Sequence, residues 1–208
     1  MKHGYSNRQV AGFLFTGILG TLLHFLFDWT SGSIFAALVS AVNESIWEHM
    51  KLLFYPMFLF AGIERRCLGA EYNHFWCNKW RSILLGLVLI PVLYYTYTGI
   101  LGLSADWFNI TIFFIAAGVA FWAEGRGERV CPLGPKAALA LLWMVAAVFT
   151  VLTFLPPRLP IFRDPLTGTY GFWGFHRMDD RDTLPLSFFV PLWHNRGRSS
   201  HKGSGERG

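Results

Sequence analysis

The chain has 208 residues, 53% of them hydrophobic and only 15% charged, where a soluble domain carries about 25% charged residues. This is a membrane composition, and the length leaves no room for a sizeable soluble domain beside a helical bundle. The net charge of +5 is spread over loops and a tail, without the continuous basic face that nucleic-acid binding requires; the expected partner is the lipid bilayer.

The apolar runs predict an all-α, polytopic protein of about five transmembrane helices. Residues 1–9 are short and polar, with Lys2 and Arg8. Residues 10–27 are apolar and at 1.5 Å per residue reach about 27 Å, enough to cross the hydrocarbon layer. No small-residue cleavage site follows, so this run reads as a retained first span. Residues 33–42 are apolar but too few to cross; they form either a short re-entrant or surface helix or the start of a longer helix through the next motif. The further spans are 46–63, 82–103, 107–123 and 137–155, with Pro56 and Pro91 as expected kinks. Residues 64–81 and 124–136 read as wet loops. The three cysteines, Cys67, Cys77 and Cys131, form no dense framework and read as free thiols.

Three regions follow. Residues 1–160 form the helical transmembrane domain. Residues 161–194 form an aromatic and polar segment outside the membrane or at its surface, with 184–193 interfacial. Residues 195–208 form a basic tail of disordered composition.

Within the apolar frame one stretch stands out: Asn43-Glu44-Ser45-Ile46-Trp47-Glu48-His49-Met50-Lys51. Charged groups at membrane depth are costly and mark function by default. The structural alternative is a capping box, with Ser45 as N-cap and Glu48 three residues on, and Lys51 paired with Glu48 or Glu44. On the first span Gly17, Gly20, Thr21, His24 and Asp28 share one helical face, whose small residues invite close approach of a neighbour. If the motif is helical from Asn43, then Glu44, Glu48, Lys51 and Tyr55 form a second stripe, and His49 flanks it by about 100°.

The polar cluster is therefore His24, Asp28, Asn43, Glu44, Glu48, His49 and Lys51, with Asp106, Asp164 and His176 at the same level. Imidazole and carboxylate donors suit a divalent metal such as Zn, Fe or Mn, with His24, Asp28, Glu44, Glu48 and His49 as candidate ligands. The spacing matches no established metal signature. Three functional readings stay open: a metal-dependent membrane enzyme, with a spare Glu as base; an ion- or proton-coupled transporter subunit, which at five spans requires a homo-oligomer; and a structural or assembly protein that uses buried ion pairs for packing. Cys67, His74 and Cys77 form a weaker metal candidate, Asn109-Ile110-Thr111 matches a glycosylation acceptor but lies just inside the fourth span, where it is expected to be unused, and Asp164-Pro165 and Thr167-Gly168 are turn chemistry.

The runs Leu23-His24-Phe25-Leu26-Phe27-Asp28-Trp29-Thr30 and Asn43 to Lys51, with the turn Asp164-Pro165-Leu166-Thr167-Gly168-Thr169-Tyr170-Gly171, resemble an uncharacterised family of small prokaryotic integral-membrane proteins, a domain of unknown function. The resemblance covers roughly residues 10–175. It implies that the Asn-Glu-Ser-x-Trp-Glu-His-x-Lys residues are the family's hallmark, and a multi-pass protein of the prokaryotic plasma membrane. No activity comes with it.

Positive charge sets orientation. Lys2, Arg8, Arg65, Arg66, Lys79, Arg81, Arg126, Arg129 and Lys136 fall at the start and in two loops, and the turns after the first and third spans hold no Lys or Arg. This predicts a cytoplasmic N-terminus and puts the polar motif on the outer side. Trp29, Trp47 and Trp107 then mark outer span ends, and Trp80 and Trp122 inner ones. A reporter fused after Asp106 should read as extracytoplasmic, and one fused after Gly134 as cytoplasmic; the opposite pattern moves the motif to the cytoplasmic side.

Overall fold

A computed structural model of the protein describes residues 7–68, 74–102, 105–126 and 132–172, which belong to one compact unit. All the regular elements among the described residues are helical. Helix α1 runs Asn7–Trp29, α2 Ile34–Ala37, α3 Ile46–Leu68, α4 Phe75–Leu101, α5 Asp106–Gly125 and α6 Pro135–Phe154; a short 3₁₀ turn, Pro160–Phe162, follows.

The five long helices run up and down about α3. Along α1, Gly12 meets Phe60 and Phe121 while Gly20 meets Leu52 and Phe113, so α1 is antiparallel to both α3 and α5. Lys79 of α4 reaches Glu64 of α3 and Glu124 of α5, whereas Tyr97, near the other end of α4, bonds Asn109 near the start of α5. On α6, Phe149 packs on Phe54 and Thr153 bonds Glu48. The core lies where Leu53, Phe54 and Met57 of α3 meet Ile83, Leu87 and Ile90 of α4, Ala116 and Ala120 of α5, and Leu142 and Phe149 of α6.

Four helices, α1, α4, α5 and α6, are long and apolar enough to cross a membrane. The sequence predicted about five spans. The difference is α3, which equals α1 in length at 23 residues but carries Glu48 and Lys51 near one end and Glu64, Arg65 and Arg66 near the other. Glu48, Lys51 and Glu64 turn inward, and the four apolar helices surround it. Their outward faces carry large apolar side chains, as in the exposed row Val10, Leu14, Ile18, Leu22, Phe25 and Trp29 on α1, the pattern of a helix that meets lipid on one side.

Other boundaries differ from the expectation too. The loop expected at 64–81 is much shorter, because α3 continues to Leu68 and α4 starts at Phe75. Lys79 is accordingly a buried residue of α4, paired with Glu64 and with Glu124 at 2.6 Å and ringed by Phe60, Phe75 and Phe121. Two carboxylates and three aromatic faces replace the water a lone ammonium needs. The expected loop at 124–136 shrinks likewise, since α5 ends at Gly125 and α6 starts at Pro135. Cys67 is free, but Cys77 is disulfide-bonded, which overturns the free-thiol reading there and removes Cys77 from the candidate metal set with His74. Residues 33–42 form the four-residue α2 and a following turn, with Ala36, Ala37, Ala41 and Val42 buried; they do not lead into a long helix. After α6 the chain folds back, with Phe162 against Trp47 and Phe172 against Phe27 and Phe154. The interfacial stretch expected at 184–193, the tail from 195, His176, Cys131 and the side chain of Asp106 lie outside the described residues.

Pro56 links the sequence to the packing. A proline has no N–H, so the Leu52 carbonyl one turn earlier loses its helical partner. Gly20 of α1 sits against that carbonyl: a Cβ built on Gly20 would lie 2.8 Å from the Leu52 oxygen and 2.7 Å from the Phe113 ring. A backbone oxygen cannot rotate away as a side chain can. Gly20→Ala should therefore lower stability by about 1–3 kcal/mol, the usual cost of overpacking, measured by chemical unfolding in detergent; Gly99→Ala, which meets open space, serves as the neutral comparison.

Candidate functional site

The nine-residue motif splits at the start of α3. The Oδ1 of Asn43 accepts the Ser45 N–H at 3.0 Å, an Asx turn that precedes the helix. Ser45 Oγ accepts the Glu48 N–H at 3.4 Å, half of the expected capping box. The reciprocal half differs: the Glu48 carboxylate passes over Ser45 and accepts the Val42 N–H at 3.1 Å. Because α3 begins at Ile46, Glu44 lies off the helix and does not share the predicted stripe with Glu48 and Lys51. Successive helical residues point about 100° apart, so Glu48 and His49 face different neighbours.

Glu48 faces inward. Its carboxylate lies 2.7 Å from the Lys51 ammonium. Lys51 also donates to the Ala37 carbonyl and to Thr153 Oγ1, each at 2.9 Å. The Thr153 hydroxyl lies 3.0 Å from both the second Glu48 oxygen and the Phe149 carbonyl, either of which can accept its proton. Lys51, Glu48 and Thr153 are all but fully buried. All three ammonium protons have acceptors, and both carboxylate oxygens are engaged. This network is closed. It ties together α2, α3 and α6, and it offers no edge to a ligand.

Glu44 and His49 face outward, toward α1. Glu44 lies 3.7 Å from His24 Nε2 through one oxygen and 3.4 Å from His49 Nε2 through the other, and the two imidazole rings meet edge to face at 5.3 Å. One donor atom from each of the three residues fits within a 4.8 Å cluster, half-buried. His49 Nδ1 lies 3.0 Å from the Ser45 carbonyl. A carbonyl only accepts, so Nδ1 carries a proton; Nε2 faces Glu44, where it can donate a proton to the carboxylate or offer a lone pair to a bound cation.

The cluster opens into a cavity of about 390 Å³ between the C-terminal end of α1 and the N-terminal end of α5, lined by Gly20, Leu52 and Phe113 and bordered by Leu166. Leu166 is held by a turn in which the buried Asp164 accepts the N–H of Leu166 at 2.8 Å and the Thr167 hydroxyl at 2.8 Å. Asp164 is thus turn chemistry, as expected, and its turn borders the cavity. Asn109 also lines the cavity and accepts the Tyr97 hydroxyl, so it is a packing residue and not an exposed glycosylation acceptor.

Of the residues singled out from the sequence, His24, Glu44 and His49 come together, Glu48 and Lys51 form a separate network, Asn43 shapes the turn between them, and Asp28 is exposed at the end of α1, apart from both. Sequence reasoning missed Thr153 and the Lys79 cluster. A threonine on an apolar helix carries no local signal, and Lys79 stands beside Arg81 in a run that reads as a loop. Nor was Tyr97 linked to Asn109.

Fold and site together define a helical protein of membrane type with a half-buried His/Glu cluster at one end of the bundle. Residues 9–172 match a family model described as a family of unknown function, DUF6512, and the chain belongs to that family. No curated protein and no solved structure matches it.

The closed network yields a stability prediction. Lys51→Met strands the Glu48 carboxylate and should cost about 3–5 kcal/mol, the range for removing one partner of a buried pair. Adding Glu48→Gln to that variant should restore part of the loss. Unfolding of the single and double variants in detergent measures both.

Proposed function

We propose that this protein is an integral membrane protein of the prokaryotic plasma membrane that holds a divalent transition metal on His24, Glu44 and His49, at the outer end of the bundle, and uses it in a metal-dependent reaction. The observation that carries this reading is the convergence of three electron-pair donors. His49 Nε2 is turned at a carboxylate oxygen 3.4 Å away because its other nitrogen is committed to the Ser45 carbonyl. A cation between the imidazole nitrogen and the carboxylate satisfies both, and a backbone acceptor on the remote nitrogen is the usual support of a metal-bound histidine.

The fit is good in other respects. One donor atom from each of the three residues lies within 4.8 Å of the others, and the two imidazoles approach different oxygens of Glu44, so small side-chain shifts bring the three to the roughly 3.4 Å separation of ligands around a tetrahedral zinc. Two histidines and one carboxylate leave coordination positions free, as catalytic sites do and structural sites do not, and here the cavity adjoins them. A metal so held supplies Lewis-acid chemistry. Glu44 is the single carboxylate among the described residues lining the cavity, so the spare Glu foreseen as a base is not there: Glu48 is committed to Lys51. The same commitment removes the Glu44/Glu48/Lys51 stripe on which a transport relay would depend. Glu48 and Lys51 instead support the structural reading, as the brace behind the site.

All five long helices span the bilayer in this reading, with α3 shielded by the other four. The charge bias supports an outward-facing site. The Cys77 disulfide favours the reverse orientation, because disulfides persist in oxidising compartments; a cytoplasmic reporter after Asp106 would establish that second reading.

Metal analysis of detergent-purified protein tests the proposal. The wild type should bind about one zinc, iron or manganese ion per chain. His24→Ala, His49→Ala and Glu44→Gln should each weaken binding by more than the roughly 10–100-fold that loss of an outer-shell partner costs. Excess chelator should strip the ion from the folded protein. Glu48→Gln should lower folded yield and leave the metal content of the folded fraction unchanged. Folded wild type that binds none of these ions would refute the assignment.

A further inference from the structure

The cavity beside the cluster has a polar end and an apolar end. His24, Glu44 and His49 form the first; Phe25, Ile110 and Phe114 border the second. These three apolar residues are exposed, and their positions matter more than their number. Phe25 continues the exposed row Val10, Leu14, Ile18 and Leu22 along α1, and Ile110 and Phe114 belong to the exposed apolar face of α5 that also carries Trp107, Ile115 and Trp122. Both rows are surfaces that meet lipid in a membrane. The mouth of the cavity therefore lies on the lipid-facing side, in the gap between α1 and α5. Toward the other end that gap is filled, because Phe114 packs against Gly17 and Phe121 against Gly12. On the remaining side Leu166 and its braced turn cover the cavity.

A ligand reaching this space from the side must itself partition into the bilayer. At about 390 Å³ the cavity is near the lower end of the range for small-molecule sites, enough for a polar head and the start of one chain. Two histidines and one carboxylate leave a divalent metal with a net positive charge, which calls for an anionic oxygen in the open position. We infer that the cavity binds a single-chain lipid anion of the fatty-acid type, which enters laterally between α1 and α5 with its carboxylate on the His24–Glu44–His49 site and its chain along Phe25 and Phe114. This rests on the metal reading above.

The test uses the purified full chain, loaded with zinc, in lipid nanodiscs containing a photoactivatable fatty acid. Labelled peptides are mapped by mass spectrometry. Labelling at residues 20–25 and 110–114 should exceed that at the lipid-facing control positions Leu14 and Val148 several-fold. Unlabelled fatty acid should compete it away, and neither its methyl ester nor inorganic phosphate should. Thr21→Trp, which fills the cavity, should abolish the excess while zinc content stays unchanged; Leu14→Trp should leave it intact. Removing zinc with a chelator should reduce the excess to the control level. Equal labelling of all lipid-facing rows, displacement by inorganic phosphate, or cross-links from these residues to a second copy of the chain would overturn the inference. Bound zinc without selective labelling sinks the lipid assignment and leaves the metal reading standing. Selective labelling in a protein that binds no zinc sinks the metal reading and with it the placement of the carboxylate.

Discussion

The fold depends on the burial of Lys51. An ammonium in an apolar interior needs a counter-charge and a full set of acceptors, and here it takes both from three separate parts of the chain: the Glu48 carboxylate, the Ala37 carbonyl and the Thr153 hydroxyl. Each acceptor fixes something. The Ala37 contact pins α2, a four-residue helix with little stability of its own. The Thr153 contact ties α6 to the start of α3. Glu48 in turn holds the Val42 N–H, which sets the path of the chain into the Asn43 turn. A pair of this kind adds little net stability over apolar packing. Its effect here is to fix one arrangement of the backbone around the motif.

That arrangement puts Glu44 where it is. Between the Asn43 Asx turn and the Ser45 cap the backbone has little freedom, and the Glu44 side chain is turned away from Glu48, toward His24 and His49. The inner network and the outer cluster are therefore two sides of one device. The inner side is dry, saturated and rigid. The outer side is half-buried, with donor atoms oriented by backbone contacts and with cavity space beside them. Catalytic and binding groups perform best when such a supporting shell holds them.

Much of this was legible in the sequence, and the limits have physical causes. Apolar runs reveal long helices because lipid leaves the backbone no other partner, and charge bias groups the end of α1, the start of α3, the start of α5 and the turn after α6 at one level, where the cavity lies. The i,i+4 face on α1 held for Gly17, Gly20 and His24 but not for Asp28, which stands exposed at the helix end. The stripe on α3 failed because the helix starts two residues after Glu44, and a shift of that size reassigns every side chain near a helix terminus. Lys79 was hidden for another reason. Hydropathy assigns a basic residue to water unless its partners are known, and Glu64 and Glu124 lie 15 and 45 positions away.

The separation of Glu48 and Thr153 along the chain, 105 positions, bears on how the protein is made. Helices enter a membrane in order of synthesis. In the five-span reading proposed above, α3 enters with Glu48 and Lys51 paired to each other but without Thr153, and the Trp47 ring lacks Phe149 and Phe162, its later packing partners. The polar end of α3 can be sealed only when α6 arrives and the segment behind it folds back. Until then the Glu48–Lys51 pair lacks the Thr153 hydroxyl, and the last contacts around the motif form only with the last helix.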